Sequence, residues 1–286
     1  MKPFPPAVLG ASILISLAVA CSPKTESKTV TAADAAAVAA ANATTDAAAG
    51  AAAATSDAAA VDTSGATVAP EAIEALKKMS AYLQTLKSFE INADTTSDTV
   101  LDDGQLIQIG GQATYRVRRP NAFRLVIDTD RKKRTLYYDG KTFTLYSPRM
   151  KFYAQTEAPP TISETAAMIE DKYGVELPLA DLFHWGTDET LDDNMTSGMH
   201  VGMAKVAGVE CSQYAFREGG VDWQIFIQTG DKPLPRKIVI TTRTDEARPQ
   251  FTALLNWKEN VSFDDATFAF KPTPESRRIQ IVAVAS

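Results

Sequence analysis

The sequence predicts an α+β fold, an incomplete antiparallel β-barrel of about ten or eleven strands with two or three helices on its concave face. Three observations predict it. Between Ala113 and Tyr146 apolar side chains take alternate positions (Ala113, Tyr115, Val117; Phe123, Leu125, Ile127; Leu136, Tyr138; Phe143, Leu145), which is the period of strands with one buried face. Turn signals punctuate that pattern at short intervals, because Arg119-Pro120-Asn121 cannot continue a ladder and Asp139-Gly140 tolerates positive φ. Helical stripes are few, so a broad sheet has little to cover it.

The chain begins with a foreign segment. Met1 to Ala20 holds one Lys and an apolar run from Ala7, too short to span a bilayer and right for the middle of a signal peptide. Cys21 follows directly, as in bacterial lipoprotein signals, where the thiol takes a lipid and becomes the mature N-terminus. Ala18 stands where such signals favour Leu, and Ala18-Val19-Ala20 also fits an ordinary secretory cleavage that would leave Cys21 a free thiol. With lipid at Cys21 the protein is anchored to a membrane, stably so with two or three acyl chains. Ser22 after it resembles outer-membrane sorting, which places the protein in the bacterial cell envelope on the periplasmic face of a membrane, the outer membrane by preference. Residues 21–69 are Ala-rich, with 19 alanines between positions 31 and 60, and offer no stripe to dock. They read as a disordered tether with a reach of roughly 40 Å.

Residues 70–286 form the predicted domain. Pro70 to Leu86 is a helix with Pro in its first turn, Glu71 and Glu74 at its positive end, and a stripe of Ile73, Leu76, Met79, Leu83 and Leu86. Ser88 to Thr95 and Leu106 to Val117 follow as strands, and Gly110-Gly111 within the second suggests a bulge or sharp curl. After the central hairpins and a strand at Phe152 to Thr156, Pro159-Pro160 stops the sheet. Thr161 to Tyr173 reads as a helix ended by Gly174, and Leu177 to Phe183 as a short apolar helix or turn. This insertion is a candidate lid. Strands then return at Met199 to Val206, Glu210 to Arg217, Asp222 to Gln228, Arg236 to Arg243 and Phe251 to Val261.

The central stretch also resembles a known superfamily, the periplasmic lipoprotein carriers and their outer-membrane receptors (LolA/LolB-like). Its elements stand here as Tyr115, Arg119-Pro120-Asn121-Ala122-Phe123, Asp139-Gly140-Lys141-Thr142 and Tyr146-Ser147-Pro148, with a closing Phe268-Ala269-Phe270-Lys271-Pro272. The chain is most similar to a branch of predicted periplasmic proteins with no assigned role. The resemblance implies a half-barrel whose hollow holds acyl chains, and an Arg, matching Arg119, that latches the lid. A strand-end Arg paired with a carboxylate is the alternative for Arg119.

An antiparallel sheet of this size has one largely apolar face. The side chains expected to line the hollow are Tyr115, Phe123, Leu125, Tyr138, Phe143, Leu145, Trp223, Ile225, Ile238, Ile240, Phe251, Leu255 and Trp257, capped by Ile169, Leu182 and Phe183. From the pattern alone a packed core is the better account of each, and only the resemblance turns the reading toward a ligand site. The expected occupant is a lipid or lipoprotein acyl chain. A sensor or structural module with no ligand and an envelope protein partner is the alternative.

Charge and chemistry narrow the function further. The net charge of -6 hides a basic stretch, since Tyr115 to Lys151 holds eleven Lys/Arg against three Asp/Glu. Anionic headgroups, an acidic partner or plain solvation would each suit it, and nothing resembles a nucleic-acid module. His184 and His200 are the only histidines, and no nucleophile elbow, zinc-ligand helix or phosphate loop occurs, so neither catalysis, cofactor nor metal is predicted. Met195, Met199, His200 and Met203 would suit Cu(I) by type, but methionines at even separation share one strand face and read as apolar lining. Cys211 reads as a buried small hydrophobe and His184-Trp185 as a helix-end cap.

Overall fold

The computed structural model describes residues 67–175 and 194–283. In chain order the elements are helix α1 (Pro70–Thr85), strands β1 (Ser88–Val100), β2 (Leu106–Arg118), β3 (Ala122–Thr129), β4 (Lys133–Tyr138), β5 (Thr142–Ser147) and β6 (Phe152–Glu157), and helix α2 (Ile162–Tyr173). Strands β7 (Met195–Val206), β8 (Val209–Glu218), β9 (Val221–Gln228), β10 (Pro235–Thr242) and β11 (Gln250–Glu259) follow, then a short 3-10 turn and β12 (Arg277–Arg278). The strands form a single 12-stranded sheet in the order β12-β6-β5-β4-β3-β2-β1-β11-β10-β9-β8-β7. It does not close, so the expected incomplete barrel is what the chain builds. The twelfth strand, parallel to β6 through Arg277 and Arg278, exceeds the expected count because two residues show no period.

Both helices form for the reasons their sequences carry. Pro70 sits in the first turn of α1, and Ala72, Ile73, Leu76, Met79 and Leu83 are buried. In α2 the Thr161 side chain accepts from Glu164 N, and Gly174 takes the left-handed conformation that ends the helix. Ile162, Ala166 and Ile169 bury its inner side. These side chains join Phe89, Ile91, Tyr115, Val117, Leu125, Tyr138, Phe143, Ile225, Ile238, Leu255 and others in one apolar cluster on the concave face of the sheet. Burial of that continuous surface is the main term that holds the helices down.

The convex face has its own cover. After β11 the chain crosses the outer side of the first strands: the Ser88 hydroxyl donates to Val261 O, and Asp265 pairs with Arg118 at 2.7 Å. Phe268 lies under the Arg118 guanidinium, and the Phe270 ring sits 4.9–5.4 Å from those of Tyr137, Tyr146 and Tyr153. The closing Phe-Ala-Phe is thus a strap that staples β2 to β6 from outside. Also on the outer side, Glu90 accepts from Lys258, Arg116 and Asn92, tying β1 to both neighbours. Cys211 is fully buried in a satellite cluster with Val206, Phe226 and Val239, as a small hydrophobe should be.

Three local expectations need correction. Gly110-Gly111 makes no bulge, because β2 keeps unbroken register with both neighbours. Glycine is required at position 111 for space: a Cβ there would stand 2.7 Å from the Thr129 methyl carbon. Strand β1 extends to Val100 through Thr-Ser-Asp residues with no apolar period, since pairing with β2 supplies what the side chains do not. The methionines of β7 do not share a face. Two register shifts pair Met199 with Ala215 but Met203 with Ser212, which point to opposite sides of β8.

Candidate functional site

The concave face divides into two ends. The turns after β2, β4 and β5's partner strand mark one, where Phe123, Tyr138 and Phe143 stand in register across β3, β4 and β5. There, and across toward β9, most of the residues expected to line a hollow are closed: Tyr115, Phe123, Leu125, Tyr138, Phe143, Ile169, Trp223, Ile225, Ile238, Leu255 and Trp257 all belong to the buried cluster with α1 and α2. Phe123 packs on Tyr138 at 5.5 Å, and at the opposite end of the face Phe216 stacks on Trp223 at 4.3 Å. Trp257 Nε1 donates to Pro235 O at 2.8 Å and the Tyr138 hydroxyl to Pro159 O at 2.5 Å, so their polar tips are satisfied. This end is core.

Other residues at that second end differ. Leu145, Ile240 and Phe251, also expected in the lining, are half-buried and pack against the edge of the same cluster, as does Ile127. Ile107 and Ile109 of β2 keep part of their surface accessible as well. Apolar surface that continues a core but remains partly wet is the kind of place where a hydrocarbon tail gains by binding. Leu182 and Phe183, like Cys21 and His184-Trp185, lie outside the described residues.

Sequence reasoning missed three members of this end. Ile127 is in the alternating pattern and was legible. Arg134 is the Cα partner of Ile127, so it stands on the same concave side at the open end. Lys132, in the adjoining β3–β4 turn, is half-buried, and its pKa is lowered by that burial and by the charge of Arg134. Neither cation follows an apolar period, so only register reveals where they stand.

Arg119 occupies a different place. It follows the last residue of β2, its neighbour Pro120 accepts from Ile162 N at the start of α2, and its guanidinium lies 6.0 Å from the Phe89 ring centre. Nε and Nη2 are buried and have no hydrogen-bond partner. Burial pushes its pKa down, and among the described residues no carboxylate pairs with it. Among the described residues the carboxylate-paired alternative has no partner to offer, and buried guanidinium nitrogens without an acceptor are costly.

Chemistry elsewhere is sparse. Among the described residues no three of His, Cys, Asp and Glu lie close enough to hold a metal ion. His200 rests against Tyr214 with ring centres 5.0 Å apart, and Met203 is 63% exposed. Of the basic stretch, Arg116 pairs with Glu90, Arg118 with Asp265, and both Lys133 and Arg149 with Asp128, which disperses much of its charge over the strands.

Residues 72–282 match the family model described as "Predicted periplasmic protein (DUF2092)". The chain belongs to that family. No curated protein matches the sequence significantly. The chain is similar to the Mycobacterium tuberculosis lipoprotein LppX at 13% identity, with 68% of this chain and 99% of that one covered and a TM-score of 0.44. It is similar to an uncharacterized conserved protein from Thermus thermophilus at 10% identity, covering 73% and 99%, with a TM-score of 0.43. Similarity to a LolA superfamily protein from Nitrosomonas europaea is at 8% identity, covering 70% and 97%, with a TM-score of 0.34.

Proposed function

We propose that this DUF2092 protein is a lipid-anchored envelope protein that holds the acyl chain of a lipid or lipoprotein at the open end of its half-barrel and performs no chemistry on it. The observation that carries the reading is the half-buried apolar group Ile127, Leu145, Ile240 and Phe251, continuous with a core but not sealed by it. An acyl chain of about fifteen carbons gains on the order of 12 kcal/mol on full burial, far above the ~1.5–3 kcal/mol of one charge-assisted hydrogen bond. Retention is therefore apolar, and Arg119 tunes it as a latch at the junction of the sheet with α2. Lipid on Cys21 at the end of the Ala-rich tether keeps the domain at a membrane, the outer membrane by the Ser22 preference.

Native mass spectrometry after mild detergent extraction tests this. Co-purification of a lipid supports the carrier, and an empty domain that ignores fluorescent fatty-acid probes contradicts it. The filled interior under α1 and α2 favours a second reading, an envelope sensor or structural module on the same fold with a protein partner and no ligand. Metabolic labelling with palmitate, compared with Cys21→Ser, tests the anchor: label that survives the substitution overturns it.

A further inference from the structure

We infer that the amphiphile received at the open end is anionic, its carboxylate or phosphate head held by Arg134 and Lys132 while its tail lies along Ile127 and Leu145. The inference rests on the acyl-chain reading and adds the class of headgroup. Register places Arg134 on the concave side directly beside Ile127, so a cation and the apolar surface share one face. Lys132 adjoins it, half-buried, with its carbonyl already engaged by Thr129 N and the Thr129 hydroxyl.

The local acids do not balance these charges. Asp128 is shared by Lys133 at 2.5 Å and Arg149 at 3.8 Å, and Asp130 accepts from Gly110 N at 3.1 Å. Arg149 also donates to Thr129 O, which draws the β5–β6 turn and its cation up to the β3–β4 turn. Among the described residues Arg131, Lys132 and Arg134 form no ion pair, so the corner carries uncompensated positive charge beside partly wet apolar surface. A fatty alcohol would leave those cations as they are. A fatty acid or alkyl phosphate would satisfy them at the moment its tail is buried.

The test compares palmitate, hexadecyl phosphate and hexadecanol as competitors of a fluorescent fatty-acid probe, using the full chain with Cys21→Ala so that no covalent lipid competes. The anionic ligands bind about tenfold or more tighter than the alcohol. Lys132→Gln with Arg134→Gln abolishes that preference, whereas Lys132→Arg with Arg134→Lys keeps it; if the neutral pair does not fold, Lys132→Gln alone must lower the ratio. Equal affinity for acid and alcohol in the parent overturns the inference while leaving the acyl-chain reading intact. Failure of all three ligands to bind overturns both. Competition by inorganic phosphate alone would make the site one for a free anion and overturn the tail-linked assignment. So would cation-dependent sedimentation with phosphatidylglycerol vesicles without any acid preference, which would make the corner a membrane contact.

Discussion

The two ends of the concave face are built from the same kinds of residue and end in different states. At the end where β1 begins, Phe89, Ile91 and Phe143 lie under the helices at 2% exposure or less, and Glu90 and the strap from Val261 brace the outer side of the same strands. At the other end Phe216 and Trp223 are buried, but Ile127, Leu145, Ile240 and Phe251 beside them stay half-buried, and among the described residues Arg131, Lys132 and Arg134 form no ion pair. The difference teaches that an apolar period marks a face and not its use. Use is decided by which stretch of that face the two helices close.

Substitutions sharpen this contrast most where the expected effect is largest. Phe143→Ala opens a cavity in sealed core and costs about 3–5 kcal/mol in denaturant unfolding, whereas Phe251→Ala costs roughly 1–2 kcal/mol. Equal costs would mean the open end is core as well. Next comes the brace behind the sealed end. Burial acts to raise the Glu90 pKa, but hydrogen bonds from Lys258, Arg116 and Asn92 and the charge of Lys258 outweigh it and hold the group at about 2, below its ordinary 4.5. A depressed carboxylate contributes stability above its unfolded pKa and loses it as pH falls through the folded one. Stability worth about 2–3 kcal/mol should therefore decline between pH 4.5 and pH 2 and be absent from the pH profile of Glu90→Gln.

Smaller effects follow. Phe270→Ala removes the ring that Tyr137, Tyr146 and Tyr153 surround, costs about 1–3 kcal/mol, and should speed amide exchange in the strap more than in the core. Unchanged exchange there would show that the strap is held by its other contacts. Smallest is Arg119→Met, which exchanges a half-buried guanidinium, two of whose nitrogens lack a hydrogen-bond partner, for an apolar side chain of similar length. It leaves stability within about 1 kcal/mol of the parent or above it, while altering the rate at which a bound fatty-acid probe leaves. A large loss of stability would mean that the guanidinium has a structural partner.

The strands, both described helices and the identity of the inward face were legible because periods of two and 3.6 are written into single residues. Ile162, Ala166 and Ile169 face inward for that reason, and Thr161 and Gly174 bound α2 by local chemistry alone. What the sequence concealed is what depends on distant partners. Thr96 to Val100 join β1 through pairing with Leu106 to Gly110, and Gly111 is small because Thr129 approaches it. The bulges of β7 separate methionines that even spacing would align. Within the candidate site, the apolar members could be read from alternation. Which of them stay half-buried, and which cations stand beside them, could not, since both depend on where α1 and α2 come to rest and on the register of β3 with β4.

Hydrogen exchange of the full chain with Cys21→Ala, with and without saturating palmitate, tests the central claim most directly. The account predicts added protection confined to amides around Ile127, Leu145, Ile240 and Phe251, with the strands under α1 and α2 unchanged. Protection that appears under the helices instead, or nowhere, would contradict it.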